Sequence, residues 1–455
     1  MMGRGRRRIL CAILVIPVLA LGCGTARRSG APKGFVTVTG TQFVLDGRRY
    51  CFLGTNVWYG LNLGADTLGG DRERLARELD RLCDLGIRNL RVMGASEGEQ
   101  FNTVRPCIQP APRSYRETML RGLDVLLAEM GKRGMRAVIY LNNYWEWSGG
   151  MAQYLAWVKN VPVPNPGLPP FRWDEFMNFS AGFYRDSTAN DWYRQYVRHV
   201  VLRTNTVTGV PYREDPTIMA WQLANEPRPG WGEVSKANFE AFAQWIDRTA
   251  QYIKSLDPNH LVSTGSEGLV GCNGDEELYL QTHRFDSVDY MTFHLWVLNW
   301  SWFDPLRPEE TYSSALEKAL DYIRKHAEYA ARVGKPLVLE EFGIPRDRHS
   351  YDPRSTTTYR DRYYEAVFAA IYESAAAGGP LVGSNFWAWG GEGRPRDPQD
   401  PTWKPGDPYT GDPPQEPQGR NSVFDCDSST LAVLKKWAAK MDALNVDMPS
   451  RRPRR

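Results

Sequence analysis

The chain has 455 residues, with 56 basic and 53 acidic side chains and a formal charge of +3, and four of its arginines stand among the first eight residues. Without segment 1–22, which holds those four and no acid, the balance is −1, so no basic footprint for nucleic acid remains. Six scattered histidines with no pair at helical spacing, no CxxC, no Gly-x-Gly-x-x-Gly and no phosphate loop leave no metal site and no cofactor to expect.

Arg4, Arg6, Arg7 and Arg8 precede an apolar run, Ile9 to Leu21, that is too short to span a bilayer and contains Pro17. Residues 1–22 therefore read as a secretory signal peptide. The run ends Ala20-Leu21-Gly22-Cys23, which resembles the lipobox of bacterial lipoproteins, although Leu-Ala-Gly-Cys is the usual order. That resemblance implies cleavage before Cys23, a lipid on its thiol and residues 23–34 as a lipidated tether. An ordinary signal cleaved nearby is the alternative. The expected location is the cell surface, the outer membrane or the secreted fraction, with the membrane touched only through Cys23.

Val36 to Tyr50 alternates apolar and polar residues around Asp46-Gly47, the signature of a β-hairpin, here placed under a barrel as a plug. Short apolar strands then alternate with amphipathic helices, which predicts a parallel sheet closed by helices: a single (β/α)8 TIM barrel over residues 35–447, with long βα loops. The eight strands are expected near Phe52 to Asn56, Asn89 to Met93, Arg136 to Leu141, Ile218 to Leu223, Leu261 to Thr264, Tyr290 to Phe293, Pro336 to Glu340 and Val382 to Phe386. Helices are expected at Asp71 to Leu85, Tyr115 to Arg133, Asn190 to Thr204, Lys236 to Leu256, Ser314 to Val333 and Thr358 to Ala377. Two long loops, Tyr144 to Ser187 and Glu392 to Asn421, the second with eight prolines in 30 residues, should wall a cleft. Residues 448–455 are a basic tail expected to be disordered. Five cysteines beyond Cys23 form no CxxC, and a chain this long needs no disulfide staple.

Two strands end on carboxylates. Ile218-Met219-Ala220-Trp221-Gln222-Leu223-Ala224 runs into Asn225-Glu226-Pro227, and Pro336-Leu337-Val338-Leu339 runs into Glu340-Glu341-Phe342-Gly343. Barrel chemistry sits at the carboxyl ends of strands, and two carboxylates there are what glycoside hydrolysis needs. Alternation along the strand would point Glu340 away from the barrel. Nine tryptophans, Trp58, Trp145, Trp147, Trp173, Trp296, Trp300, Trp302, Trp387 and Trp389, fall at strand ends or in loops, where a flat ring can stack on a sugar. Trp221, inside a strand, reads as core. Gly94-Ala95-Ser96-Glu97-Gly98 matches an esterase elbow but is followed by no helix, so the elbow's context fails.

Asn225-Glu226-Pro227, Glu341-Phe342-Gly343, Arg91 and His294 together resemble glycoside hydrolase family 5, a (β/α)8 family of retaining enzymes. Leu141-Asn142-Asn143 with Trp147-Ser148-Gly149-Gly150, Asp257-Pro258-Asn259-His260, Gly265-Ser266-Glu267-Gly268 and Asn385-Phe386-Trp387-Ala388-Trp389 point within it to the β-mannanase branch. The resemblance implies Glu226 as general acid/base and Glu341 as nucleophile. It implies substrate contacts from Trp58, Arg91, Asn143, Asn225, Glu267, His294, Trp296 and Trp387, with Arg91 and Asn225 supporting the nucleophile and the sugar's 2-hydroxyl. Many relatives carry His-x-Tyr at the sixth strand, where this chain has His294-Leu295-Trp296, so any tyrosine contact to the nucleophile must come from elsewhere or be absent. The expected activity is retaining hydrolysis of β-1,4-mannosidic bonds in mannan or manno-oligosaccharides, as a mannan endo-1,4-β-mannosidase acting as a monomer. An exo-acting β-mannosidase or a β-1,4-glucanase is the alternative, and a non-catalytic glycan-binding lipoprotein would have lost a carboxylate.

Overall fold

The computed structural model describes residues 33–100 and 103–448; the segment read as a signal peptide, Cys23 and most of the expected tether and tail lie outside them. Eight strands form one parallel sheet: Phe52–Asn56, Asn89–Met93, Arg136–Tyr140, Ile218–Gln222, Leu261–Ser263, Met291–Leu295, Leu337–Phe342 and Leu381–Phe386. Each pairs with its neighbour in sequence, the eighth returns to pair with the first, and a Ser263–Tyr290 bridge closes the fifth onto the sixth. The (β/α)8 barrel expected from the alternation is therefore formed. All eight strands are buried along nearly their whole length, as their largely apolar character suits when helices cover one face and packed side chains fill the other.

Helices begin where the sequence supplies caps. Asp71, Asp186 and Asp275 each accept a backbone N–H three residues on, at 2.8, 2.9 and 2.8 Å. The N-terminal segment forms three short strands, Val36–Thr39, Gln42–Leu45 and Arg48–Arg49. Asp46-Gly47 makes the second turn, with both residues at positive φ, while a first turn at Gly40-Thr41 escaped the reading of a single hairpin. Phe43 from this sheet packs against Phe52 and Tyr290, at 6.3 and 5.3 Å between ring centroids, and so covers the amino ends of the barrel strands.

The two long loops differ from expectation in being folded. The first contains the helices Gly150–Lys159 and Trp173–Ala181. The second is organised by the buried carboxylate of Asp412, which accepts the backbone N–H groups of Gly419, Asn421 and Ser422 at 2.9, 2.7 and 3.2 Å. Two further helices, Glu276–Arg284 and Ser428–Asp442, were not anticipated. The five described cysteines are free thiols, and among the described residues no helix is long and apolar enough to cross a membrane.

Candidate active site

The site lies at the carboxyl ends of the strands. The fourth strand ends at Gln222, and the chain continues through Asn225 to Glu226, which sits at φ 50°. A left-handed glutamate costs about 1–3 kcal/mol unless its surroundings fix it. Here Glu226 N–H donates to the Gly265 carbonyl at 2.9 Å. Gly265, itself at φ 72°, must be glycine, since a Cβ there would stand 1.9 Å from the Ala224 carbonyl oxygen. The Asn225 N–H donates to the Asn142 carbonyl, and Tyr144 N–H to that of Asn225, both at 2.9 Å. Gly150, at φ 59°, lets the next turn fold close over the Asn143 carbonyl.

The Glu226 carboxyl receives three ring nitrogens. Trp145 Nε1 donates to Oε2, His294 Nδ1 lies 2.5 Å from Oε1, and Trp296 Nε1 donates to Oε1 at 3.3 Å. Glu341 accepts from Arg91 Nη1 at 2.5 Å and lies 3.4 Å from His294 Nδ1. An oxygen of each carboxyl and the His294 nitrogen all stand within 4.8 Å of one another. Trp296 thus takes its place at Glu226, and among the described residues no tyrosine hydroxyl hydrogen-bonds Glu341.

Arg91 organises the floor. Its other bonds run from Nη2 to Asn225 Oδ1 at 2.7 Å, from Nη1 to Asn56 Oδ1 at 3.2 Å and from Nε to Gln222 Oε1 at 2.8 Å. A guanidinium with no exposure is tolerable because its charge and donors are met. Glu340 corrects the sequence reading: it points into the barrel. Gln222 Nε2 donates to both its oxygens at 2.6 Å, and Arg91 Nε lies 3.7 Å away. The cause is a bulge. Leu339 pairs with Phe293 and Glu341 with the very next residue, His294, so Glu340 is an extra residue that breaks the alternation.

The remaining expected residues fall into two groups. Trp387 and Trp296 border the pair, 6.0 Å apart edge to face, with Trp147 6.5 Å from Trp387. Asn143, Glu267 and Trp58 are buried and engaged with protein. Asn143 bonds Ser148 Oγ at 2.9 Å and accepts from Asn225 Nδ2 at 3.2 Å; Glu267 accepts from Arg228; Trp58 Nε1 donates to the Gly411 carbonyl at 3.0 Å. Trp389 is buried with its N–H on Glu78 at 2.8 Å and offers no face to a sugar. Trp221 is core, its N–H on Asp257 at 2.8 Å, and Asp257 also holds His260 at 2.6 Å. Ser96 of the elbow-like motif is buried, its hydroxyl accepting the Ile108 N–H at 2.9 Å.

Sequence reasoning missed Gln222, Arg228 and the part Trp145 plays as a hydrogen-bond donor. A lone amide in an apolar strand was the available signal for Gln222. Nothing local marks Trp145, whose ring meets Glu226 only through the fold.

Burial pushes the Glu226 carboxyl above its ordinary range, against the charge of Arg228 and the Trp145 N–H. Burial likewise pushes Glu341 well up, against Arg91, and the Glu226 charge adds to the rise. Two buried carboxyls this close favour holding one proton between them. Burial, with Arg91 adding to it, holds His294 far below the usual imidazole range, hence neutral. Burial raises Glu267 to about 7 despite Arg228.

Glu226, His294 and Glu341 are close enough for a divalent cation to bridge them, but the Arg91 guanidinium already supplies positive charge at Glu341. Hydrolysis is therefore expected to persist in excess chelator. Loss of activity restored by a divalent ion, with the melting temperature unmoved throughout, would count against this.

Two buried carboxyls this close at the carboxyl ends of barrel strands, flanked by indoles, are the arrangement that glycoside hydrolysis uses. Comparison with known proteins agrees: residues 33–445 match the family described as GH family 5 beta-mannosidase-like. The chain belongs to glycoside hydrolase family 5, in its β-mannosidase-like group. It is 30% identical to the putative mannan endo-1,4-beta-mannosidase 4 of Arabidopsis thaliana, over 84% of this chain and 89% of that one. It is also 30% identical to mannan endo-1,4-beta-mannosidase 1 of Oryza sativa subsp. japonica, over 85% of each. Among solved structures, the family 5 mannosidase of Rhizomucor miehei is 38% identical, with a TM-score of 0.83 and coverage of 91% of this chain and 99% of that one.

Proposed function

We propose that the protein hydrolyses β-1,4-mannosidic bonds in mannan or manno-oligosaccharides with retention, using Glu341 as nucleophile and Glu226 as acid/base. The observation that carries this reading is that an oxygen of one carboxyl stands within 4.8 Å of an oxygen of the other. Retaining enzymes hold them about 5–5.5 Å apart, and the wider gap of inverting enzymes leaves room for a water. The mechanism starts with the shared proton on Glu226; Arg91, bonded directly to Glu341, favours the ionised form there against the burial that pushes it up. Attack by Glu341 on the anomeric carbon then expels the leaving oxygen, which takes the Glu226 proton. Glu226, now a base, draws a proton from the water that releases the sugar. We read Trp387, edge to face with Trp296, as the platform for the sugar being cleaved, and Asn225, held by Arg91 and Asn143, as the contact to its 2-hydroxyl.

Mannan as substrate is supported by the names of the curated relatives. The curated relatives are named endo-1,4-beta-mannosidases and the Rhizomucor miehei structure a mannosidase, so endo action is the first reading and exo action the second. The product profile on mannohexaose against cellohexaose tests both points. Cleavage of mannohexaose well above that of cellohexaose is expected; mannose as sole early product marks exo action, and a spread of oligosaccharides marks endo action. Preference for cellohexaose would overturn the substrate.

All groups of the site come from one chain, so a monomer suffices. Export is part of the proposal: the arginine-led apolar run Ile9 to Leu21 supports a signal peptide, and Gly22-Cys23 supports lipidation at Cys23.

A further inference from the structure

A buried carboxyl outside the catalytic pair has no part in the mechanism so far. Glu97, in the Gly94-Ala95-Ser96-Glu97-Gly98 stretch after the second strand, is fully buried, and among the described residues no lysine, arginine or histidine pairs with it. The ionisable groups that face it are Tyr154 from the helix Gly150–Lys159, Tyr193 and Tyr196 from the helix Ser187–Val201, and Cys107, all kept neutral by burial. Burial pushes Glu97 itself up to about 8, against the Gly150 N–H, so at neutral pH it carries a proton. Its Oε2 accepts the Gly150 N–H at 3.0 Å, which leaves that proton to Oε1. Gly150 opens a helix whose own cap, Gly149, has no side chain, so Glu97 supplies the acceptor from another segment.

The turn that this bond holds, residues 143–150, carries Trp145, whose indole N–H donates to Glu226. Two bonds tie the turn to Glu97: the one from its carboxyl, and one from its backbone N–H to the Ser148 carbonyl at 2.7 Å. The segments touch closely, since a Cβ on Gly149, at φ 88°, would stand 1.8 Å from the Glu97 carbonyl oxygen. Within the turn, Asn143 Oδ1 accepts the Trp145 N–H at 3.1 Å and Asn225 Nδ2 at 3.2 Å, and Asn143 Nδ2 donates to Ser148 Oγ at 2.9 Å. A shift of the turn would therefore move the partners of both Glu226 and Asn225.

We propose that Glu97 is a positioning residue for the acid/base: through Gly150 it fixes the turn that places the Trp145 N–H on Glu226 and the Asn143 amide on Asn225. The proposal rests on the reading of Glu226 as the acid. A protonated carboxyl is close in shape to a glutamine amide, and either one accepts an N–H without bringing a charge into a place that offers none to pair with it. Alanine would leave the buried Gly150 N–H without a partner, and the turn would have to shift to satisfy it. The cost falls on the step that needs a proton. A misplaced acid slows expulsion of a poor leaving group and spares an activated one.

The test compares Glu97→Ala and Glu97→Gln with the wild type at neutral pH, by kcat/KM on mannopentaose and on an aryl β-mannoside whose leaving group needs no proton, beside a thermal melt. The ratio of the first to the second is expected to fall about 10- to 100-fold in Glu97→Ala and to be largely recovered in Glu97→Gln. A wild-type ratio in the alanine variant would overturn the proposal, as would equal losses on both substrates with a lowered melting temperature, which mark a merely structural role. A glutamine variant whose ratio falls as far would overturn it too. Trp145→Phe, which removes the N–H without touching Glu97, should lower the same ratio, and an unchanged ratio there would overturn the route through Trp145 even if Glu97→Ala failed to fold. Glu226→Ala, measured the same way, separates the two readings. Equal losses on both substrates in that variant would fault the acid assignment and the proposal with it, whereas a loss confined to mannopentaose there, beside a wild-type ratio in Glu97→Ala, would fault the role of Glu97 alone.

Discussion

Glu341→Ala is expected to lose turnover on every substrate by about 10⁴-fold or more, whatever the leaving group, because no glycosyl-enzyme can form. The fold should survive, since the side chain removed is a buried carboxyl already pushed upward by burial. Its loss leaves Arg91 with Asn225, Asn56, Gln222 and the nearby Glu340. Steady-state rates on mannan and on an activated aryl mannoside check this, beside a thermal melt. Substantial residual turnover on the activated substrate would remove Glu341 from the covalent step.

Glu226→Ala should behave differently by substrate. On mannan, whose leaving oxygen needs a proton, kcat/KM is expected to fall by about 10²- to 10⁴-fold. On an aryl mannoside with a good leaving group the first step should proceed and the intermediate accumulate, giving a burst followed by slow turnover. Added azide should restore turnover by attacking the intermediate without help from a base, yielding the β-glycosyl azide. If azide instead rescues the Glu341 variant with inversion and does nothing for the Glu226 variant, the two roles must be exchanged.

The barrel was legible because its strands are short apolar runs between helices, and the observed strand ends lie within two residues of those expected. The helices inside the first long loop were not. Gly149 and Gly150 start one of them, and prolines crowd the stretch before the other, so local propensity argued for a loop where tertiary packing decided. The carboxyl pair was visible as two strand-end motifs 115 residues apart, and the structure brings them together.

What sits beneath the pair was not readable. Glu340 faces inward only because one residue is looped out of register, and such a bulge leaves no mark in an otherwise regular Leu-Val-Leu-Glu-Glu-Phe strand. The tryptophans show the same limit from the other side. Their number suggested sugar stacking, yet Trp389 is spent on a buried glutamate and Trp145 on positioning Glu226, distinctions that depend on neighbours far away in the chain.

The central claim, retaining cleavage of a mannoside through Glu341, is tested most directly by trapping the intermediate. Incubation with 2-deoxy-2-fluoro-β-mannosyl fluoride followed by proteolysis and mass mapping should show one fluoromannosyl group on the peptide that contains Glu341. A label on the Glu226 peptide, or no label from an active enzyme whose first-formed product is the α-anomer, would contradict it.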